Sequence, residues 1–374
     1  MESRDLPPLK RVVVKIGSSS LIGKDGALNI SQVESLADQI AGIKREGVEV
    51  LLVSSGAIGL GIQRLGFARR PKSIPEKQAC ASVGQGMLIN SYEKVFAQYS
   101  IAVGQVLLTR EDFSDRKRFL NARNTMSALL RMGALPVINE NDTVAVDEIP
   151  LRLGDNDNLA ALVSVLVDAD LLVLLSDIDG LYTGDPRFSS SKLISEIKEI
   201  TEEIEKIASG SRSALGTGGM ITKLQAARIT MHSGITMVLA AAGEKEVIRR
   251  VLSGETLGTI FWPLSRLANR RRWIAYNSTV QGRIFVDDGA AAALLHKGKS
   301  LLPSGIRRVE GNFKIGNTVS VIEPGGREIA RGIVNYSSED IEIIKGTKTW
   351  ERARTSGRKA YDEVIHRNNL VMNV

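Results

Sequence analysis

Apolar residues along the chain cluster in short runs, and stretches with helical spacing separate them. Runs without polar alternation are typical of strands that are buried on both faces. Residues 31–46 repeat their apolar positions at helical spacing and are predicted as a helix. Six runs are predicted as strands: residues 11–17, 48–56, 101–109, 134–142, 170–177 and 235–243. The pattern therefore predicts an α/β fold, with a largely parallel sheet sandwiched by helices.

This rhythm ends near residue 265, where the basic stretch SRLANRRRW begins. From residue 276 onward, short apolar runs alternate with glycine and proline turns, and one helix is predicted over 288–297. We therefore expect two domains, 1–265 and 276–374. The second is predicted to be a small, mostly β, barrel-like domain.

Most predicted strands end in small or polar residues, as in KIGSSS, VSSGA, INEND and LSDIDG. In open α/β sheets, ligands bind beyond the carboxyl ends of the strands. The polar cluster GDNDN, residues 154–158, precedes another apolar run. Helix capping explains one such residue but not four. We therefore expect a ligand site at this edge of the sheet.

Composition narrows the class of protein further. The net charge of +7 and the pI of about 9.4 suit an anionic partner, either a phosphorylated small molecule or a nucleic acid. A single cysteine, Cys80, indicates a reducing compartment, and without a neighbouring base it is interpreted as a packed residue rather than a nucleophile. Three histidines offer no zinc site. No apolar run suggests a membrane span or signal peptide, so a cytoplasmic location is expected.

Two lysines are candidates for binding phosphate, although neither a Walker A motif nor GxGxxG is present. Lys15 interrupts an apolar strand just before Gly17, so it either extends its head to solvent or contacts a phosphate. Lys223 follows the glycines of SALGTGGMITKLQAA. A glycine turn, a helix start and a lysine together can bind an anion, although a flexible loop with a surface lysine is the alternative.

The stretch SDIDGLYTGDPR, residues 176–187, is a further candidate. Asp177 stands at the end of a predicted strand. For Asp179 and Asp185, a solvated loop is a serious alternative, and Asp185 begins a predicted turn. The spacing does not match an EF-hand calcium loop, because the required glutamate is missing.

Six segments, in this order and spacing, resemble the amino-acid kinase fold family: VVVKIGSS, SSGAIGLG, VINENDTVA, GDNDNLAALVS, LLSDIDGLYTGDPR and GTGGMITKLQAA. The resemblance covers roughly residues 10–265. The tail from residue 276 resembles a PUA domain, which many bacterial members that phosphorylate glutamate carry at this end.

The resemblance implies that ATP phosphorylates the γ-carboxylate of L-glutamate to L-glutamyl 5-phosphate, the first step of proline biosynthesis. It also implies Mg²⁺, held mainly by phosphate oxygens and water rather than by protein ligands, and feedback inhibition by proline.

Residue roles follow from the same resemblance. It implies that Lys15 and Lys223 are catalytic and that Asp157 holds them in place. The residues implied to bind glutamate are Ser55, Asp142 and Asn156. The residues implied to bind the nucleotide are Lys15, Ser176, Asp177, Thr217, Gly218, Gly219, Met220 and Lys223.

Two other functions stay open at this point. The PUA-like tail of a basic chain could bind RNA. The same fold also serves carbamate, aspartate, acetylglutamate and uridylate kinases. The charged stretch 104–125 is interpreted as a solvated or subunit-contact helix, and a homo-oligomer, dimer or tetramer, is expected.

Overall fold

A computed structural model describes residues 3–23, 25–144, 156–210, 219–264, 280–346 and 363–372. The chain divides into two compact units, residues 1–112 with 117–267, and residues 113–116 with 268–374. In the described residues, no helix is both long and apolar enough to cross a bilayer.

The first unit is built on a sheet with the strand order β3-β4-β2-β1-β5-β9-β10-β8. Its neighbouring strands are parallel except for β9 and β10, and β6 with β7 forms a separate small ribbon. The strands are β1 Arg11–Ile16, β2 Glu49–Ser54, β3 Val103–Leu108, β4 Leu135–Glu140, β5 Leu171–Ser176, β6 Leu181–Tyr182, β7 Leu193–Ile194, β8 Glu196–Ile197, β9 Thr236–Ala241 and β10 Thr259–Phe261.

Ten helices are described along this part of the chain. They are α1 Ser18–Leu21, α2 Ile30–Arg45, α3 Ala57–Arg64, α4 Ile74–Ala97, α5 Arg110–Ser114, α6 Arg116–Arg131, α7 Asn156–Val167, α8 Glu202–Gly210, α9 Met220–His232 and α10 Val247–Leu252. Helices α2, α4, α7, α9 and α10 contact strands of this sheet. The predicted helix and all six predicted strands of this unit are confirmed. So is the largely parallel sheet, whose central strands β1 and β5 are almost wholly buried.

Two expectations about the region after residue 100 are wrong. Strand β3 is only partly buried, because it lies at the end of the strand order and pairs with β4 alone. The charged stretch 104–125 is not one helix. Its first residues belong to β3, and the helices α5 and α6 follow.

Glycines let α3 and α4 approach each other closely. A Cβ on Gly61 would lie 1.8 Å from the Cys80 carbonyl oxygen, and one on Gly84 would lie 1.8 Å from the Ala57 carbonyl oxygen. The Cys80 side chain is fully buried beside this crossing, which confirms it as a packed residue.

The second unit is a five-stranded sheet with the order β12-β11-β13-β14-β15, in which only β11 and β13 pair in parallel. Phe313 and Ile341 are buried in its core. The predicted helix over 288–297 is confirmed as α12. The elements are β11 Val280–Val286, α12 Asp288–Lys297, β12 Ile306–Glu310, β13 Thr318–Ile322, β14 Glu328–Ile333, α13 Ser338–Ile344 and β15 Leu370–Met372.

Candidate functional site

The candidate site lies where three adjacent parallel strands end. Strand β1 lies between β2 and β5, and Lys15 of β1 is in register with Val53 of β2 and Leu174 of β5. The carboxyl ends of these strands therefore meet at one edge. The sequence predicted a ligand site at this edge, and the polar residues Lys15, Ser54 and Ser176 stand there.

One carboxylate at this edge holds two lysines. Lys15 Nζ lies 2.5 Å from Asp157 Oδ1, and Lys223 Nζ lies 3.1 Å from Asp157 Oδ2. The lysine side chains are each 6% exposed and that of Asp157 is 0% exposed. Lys15 therefore does not extend its head into solvent. A buried charge needs such a partner, because leaving water is otherwise costly.

Asp157 is held in its charged form. Burial by itself raises the pKa of the carboxyl group, but the charges of Lys15 and Lys223 and their hydrogen bonds outweigh burial and lower the pKa below its usual value. Asp157 also lies in the first turn of α7, where the helix dipole favours an anion. The cluster of two cations and one anion carries one excess positive charge.

The start of α9 brings Lys223 to the cluster. Helix α9 begins at Met220 after Gly219, whose extended backbone provides no side-chain cap for the first turn. Uncapped N–H groups at a helix start can receive an anion. The Thr222 hydroxyl donates to the Gly219 carbonyl oxygen at 2.8 Å and lies 3.3 Å from Asp157 Oδ2. Thr217 and Gly218 lie outside the described residues.

Asn156 connects the start of α7 to the ends of β2 and β4. Its Nδ2 lies 2.7 Å from the Ser54 carbonyl oxygen, 2.7 Å from Ser55 Oγ and 2.9 Å from Asn139 Oδ1, so its two N–H donors are shared among three acceptors. Gly56 follows with φ of +102°, a conformation that glycine adopts without strain, and turns the chain into α3. Ser55 and Asn156, both predicted to bind substrate, are thus in direct contact.

Buried polar side chains hydrogen-bond to the residues that contact Asn156. Asn139 Nδ2 donates to Gln85 Oε1 at 2.8 Å, and the Ser54 hydroxyl shares a 2.8 Å hydrogen bond with the Tyr92 hydroxyl. Burial raises the pKa of Tyr92 and keeps its hydroxyl neutral. Gln85 and Tyr92 both belong to α4, so this long helix holds Asn139 and Ser54, two residues that contact Asn156.

Asp142 lies in the turn after β4 and lines a pocket with Gln85, Gln105 and Glu140. Gln85 belongs to this pocket and also hydrogen-bonds to Asn139, which contacts Asn156. The structure therefore brings Ser55 and Asn156 into contact, whereas Asp142 shares only a pocket with Gln85.

Ser176 and Asp177 stand at the end of β5, as the sequence predicted. The buried Ser176 donates to the exposed Asp177 at 3.0 Å. Asp179 accepts from the Tyr182 hydroxyl at 2.7 Å. Asp185 accepts from Arg187, whose hydrogen bonds lower the pKa of Asp185 to about 2. The local contacts of Asp179 and Asp185 favour the loop interpretation, and the turn at Asp185 is confirmed.

Sequence reasoning missed four residues of this region: Ser54, Gln85, Tyr92 and Asn139. Asn139 gave a signal, since an amide inside the apolar strand β4 must find partners. Gln85 and Tyr92 gave none, because a long helix places many polar residues and only the fold shows which of them face the site.

Family models match both parts of the chain. The model described as the amino acid kinase family matches residues 10–241, and the model described as the PUA domain matches residues 282–354.

Relatives in three organisms match over nearly the full length. Glutamate 5-kinase of Caldanaerobacter subterraneus subsp. tengcongensis is 53% identical over 97% of both chains. Glutamate 5-kinase of Carboxydothermus hydrogenoformans is 53% identical over 98% of both chains. That of Geobacter sp. strain M21 is 48% identical over 100% of both chains. Among solved structures, carbamate kinase from Giardia lamblia bound to AMP-PNP has 16% identity and a TM-score of 0.48, covering 68% of this chain and 98% of that chain.

Proposed function

The chain belongs to the amino acid kinase family and, within it, to the glutamate 5-kinases with a C-terminal PUA domain, and on this premise we propose how it acts. It is a phosphotransferase, and its proposed reaction moves the γ-phosphoryl group of ATP to the γ-carboxylate of L-glutamate. The products are ADP and L-glutamyl 5-phosphate. The support for glutamate as substrate comes from the relatives, which are named glutamate 5-kinase and match nearly the whole chain.

The buried cluster of Lys15, Asp157 and Lys223 carries this proposal. A carboxylate nucleophile is already anionic, so its attack on phosphorus needs no general base. Catalysis then depends on aligning the two substrates and on offsetting negative charge at the transferring group. We assign that charge stabilisation to Lys15 and Lys223. Two ammonium groups repel each other, and Asp157 between them fixes their positions.

Ser55, Asp142 and Asn156 are the proposed contacts of glutamate. The α-ammonium group needs oxygen acceptors, which the Asp142 carboxylate and the Asn156 carboxamide provide. The two N–H donors of Asn156 Nδ2 are shared among three protein oxygens. Within the described residues no donor is hydrogen-bonded to Asn156 Oδ1, which can therefore accept from the ammonium group.

The proposed nucleotide contacts are Ser176 and Asp177 after β5, Gly219 and Met220 at the start of α9, and the lysines. Thr217 and Gly218 belong to the same proposed loop. A helix start without a side-chain cap suits a phosphate. We propose that Mg²⁺ arrives with ATP and is bound mainly by phosphate oxygens and water, where it offsets phosphate charge. In the described residues, no three acidic, histidine or cysteine side chains group as a metal site.

Three further properties belong to this proposal. The reaction would start proline biosynthesis in the cytoplasm. Proline would inhibit it by competing at Ser55, Asp142 and Asn156, since proline shares the α-amino and α-carboxylate groups of glutamate. A homo-oligomer, dimer or tetramer, is the proposed assembly.

The test is a coupled ADP-release assay with ATP, Mg²⁺ and a panel of small acids, each with and without proline. The expected result is ADP release with glutamate that falls when proline is added. Release with carbamate, aspartate, acetylglutamate or uridylate instead would refute the proposed substrate. Glutamate turnover that proline does not change would refute only the proposed inhibition.

RNA binding by the second unit is not favoured. Strand β12 carries two exposed arginines. A guanidinium nitrogen of Arg307 lies 3.5 Å from a carboxylate oxygen of Asp287, and one of Arg308 lies 3.0 Å from a carboxylate oxygen of Glu310. Their charge is therefore partly offset by neighbouring carboxylates. A gel shift with tRNA at two salt concentrations separates this alternative from the kinase.

A further inference from the structure

The side-chain amides of Asn156, Asn139 and Gln85 form a chain whose direction is fixed by two backbone groups. Asn156 Nδ2 donates to the Ser54 carbonyl oxygen, which can only accept. Asn139 Oδ1 accepts from the Glu140 backbone N–H at 2.9 Å, which can only donate. The backbone therefore orients both amides, with Asn139 Oδ1 facing Asn156 Nδ2.

The orientation of the Asn139 amide also determines the orientation of the Gln85 amide. Because Asn139 Oδ1 faces Asn156, Asn139 Nδ2 must face Gln85, and it donates to Gln85 Oε1 at 2.8 Å. The Nε2 group of Gln85 then points away from Asn139 and carries two N–H donors. Gln85 is only 8% exposed, and in the part of the chain that the structure describes no acceptor is hydrogen-bonded to Nε2. Its Nε2 donors are therefore available to a ligand in the pocket that Gln85 lines.

The pocket that Gln85 lines has two chemically different walls. Helix α4 contributes Ser82 and Gln85, which can donate hydrogen bonds, and the end of β4 with the turn after it contributes Glu140 and Asp142. A carboxylate suits the first wall and an ammonium group suits the second. An α-amino acid carries both groups on one carbon atom.

We propose that Gln85 is a specificity-determining residue whose Nε2 donates to the α-carboxylate of the amino-acid substrate. In this arrangement Asp142 and Oδ1 of Asn156 receive the α-ammonium group. The inference rests on the proposed function, since it assigns a further contact to the same substrate.

A pair of substrates and a pair of variants test the inference. 4-Aminobutyrate is glutamate without the α-carboxylate, so it lacks the group that Gln85 binds. Gln85→Glu keeps an oxygen for Asn139 but replaces the pocket-facing donor by an anion, and Gln85→Met removes both amide functions at similar size. Gln98→Glu adds the same charge at an exposed position directly after α4, outside the lining of the pocket, and serves as the control.

The preference is measured as the ratio of kcat/KM for glutamate to kcat/KM for 4-aminobutyrate. We expect this ratio to fall ~10-fold or more in either Gln85 variant, because each variant removes a hydrogen bond to a charged group. We expect KM for glutamate to rise, with kcat and the KM for ATP changing less than about threefold. Gln98→Glu should keep the wild-type preference.

An unchanged preference in Gln85→Met would overturn the inference, as would an equal loss in Gln98→Glu, which would indicate a general charge effect. If Gln85→Glu does not fold, Gln85→Met alone decides. A wild-type chain without glutamate-dependent ADP release would refute the proposed function instead, so the two failures are distinguishable.

Discussion

Lys15 Nζ lies 2.5 Å from Asp157 Oδ1, although the two side chains come from different elements and both are buried. Strand β1 supplies the lysine and the first turn of α7 supplies the carboxylate. The pair is completed by Lys223 from α9 on the second oxygen. Three segments that are distant in sequence therefore meet on one carboxylate, and both the stability of the first unit and its proposed chemistry depend on it.

Asp157→Asn is expected to destabilise the protein and to slow turnover. It keeps the shape of the side chain but leaves two buried ammonium groups without an anion, and removing one partner of a buried ion pair costs about 3–5 kcal/mol. Urea unfolding and kcat measure the two effects. Asp185→Asn, which breaks the exposed pair with Arg187, is the control and should change both little. Near-normal stability of Asp157→Asn would contradict the assigned role.

The contribution of Asp157 to stability should disappear in acid. Its pKa is lowered in the folded protein, so the unfolded chain binds the proton more readily. The contribution is fully present above the unfolded pKa of about 3.9 and is lost as the pH falls through the lower, folded pKa. The difference in unfolding free energy between wild type and Asp157→Asn should therefore shrink below about pH 4. A difference that grows in acid would contradict the direction of the shift.

Lys223→Met should lower kcat on the order of 100-fold or more, with a smaller change in KM, because the charge acts mainly on the transition state. Steady-state ADP release at saturating ATP and glutamate measures both constants. The exposed Lys245→Met is the matched control and should resemble the wild type. A Lys223→Met enzyme with near-normal kcat would remove this lysine from the mechanism.

Gly84→Ala should destabilise the first unit strongly, because its new Cβ would lie 1.8 Å from the Ala57 carbonyl oxygen at the crossing of α3 and α4. Gly86→Ala, two residues along the same helix, meets no atom within 4 Å and should stabilise the protein, by about 0.5–1 kcal/mol. Thermal unfolding of both variants checks the prediction. Equal effects of the two substitutions would contradict the close helix crossing.

Much of the first unit could be predicted because its strands are continuous apolar runs, and each of the six forms a strand inside its predicted range. The stretch 104–125 could not be predicted correctly. Its strand β3 lies at the edge of the sheet, pairs with β4 alone and keeps partly exposed residues, so its pattern resembles that of a surface helix. The lysine–aspartate cluster came from the family resemblance of its motifs. The residues alone suggested Lys15 and Lys223 only as separate phosphate contacts.

Gln85 and Asn139 show what sequence reasoning lacks. Their hydrogen bond joins residues that are 54 positions apart, and no spacing rule connects a helix residue to the end of a strand at that distance. Only the packing of α4 beneath the sheet edge brings them together. The support of a site is therefore harder to predict than the residues at strand ends, whose placement follows from the direction of parallel strands.

The most direct test of the account is to trap the product. An acyl phosphate reacts with hydroxylamine to give a hydroxamate, so the wild-type chain, ATP, Mg²⁺, glutamate and hydroxylamine should yield glutamyl hydroxamate. Lys223→Met should reduce its rate of formation on the order of 100-fold. ADP release without hydroxamate would contradict transfer to the carboxylate, and equal hydroxamate formation by wild type and Lys223→Met would contradict the role of the buried cluster.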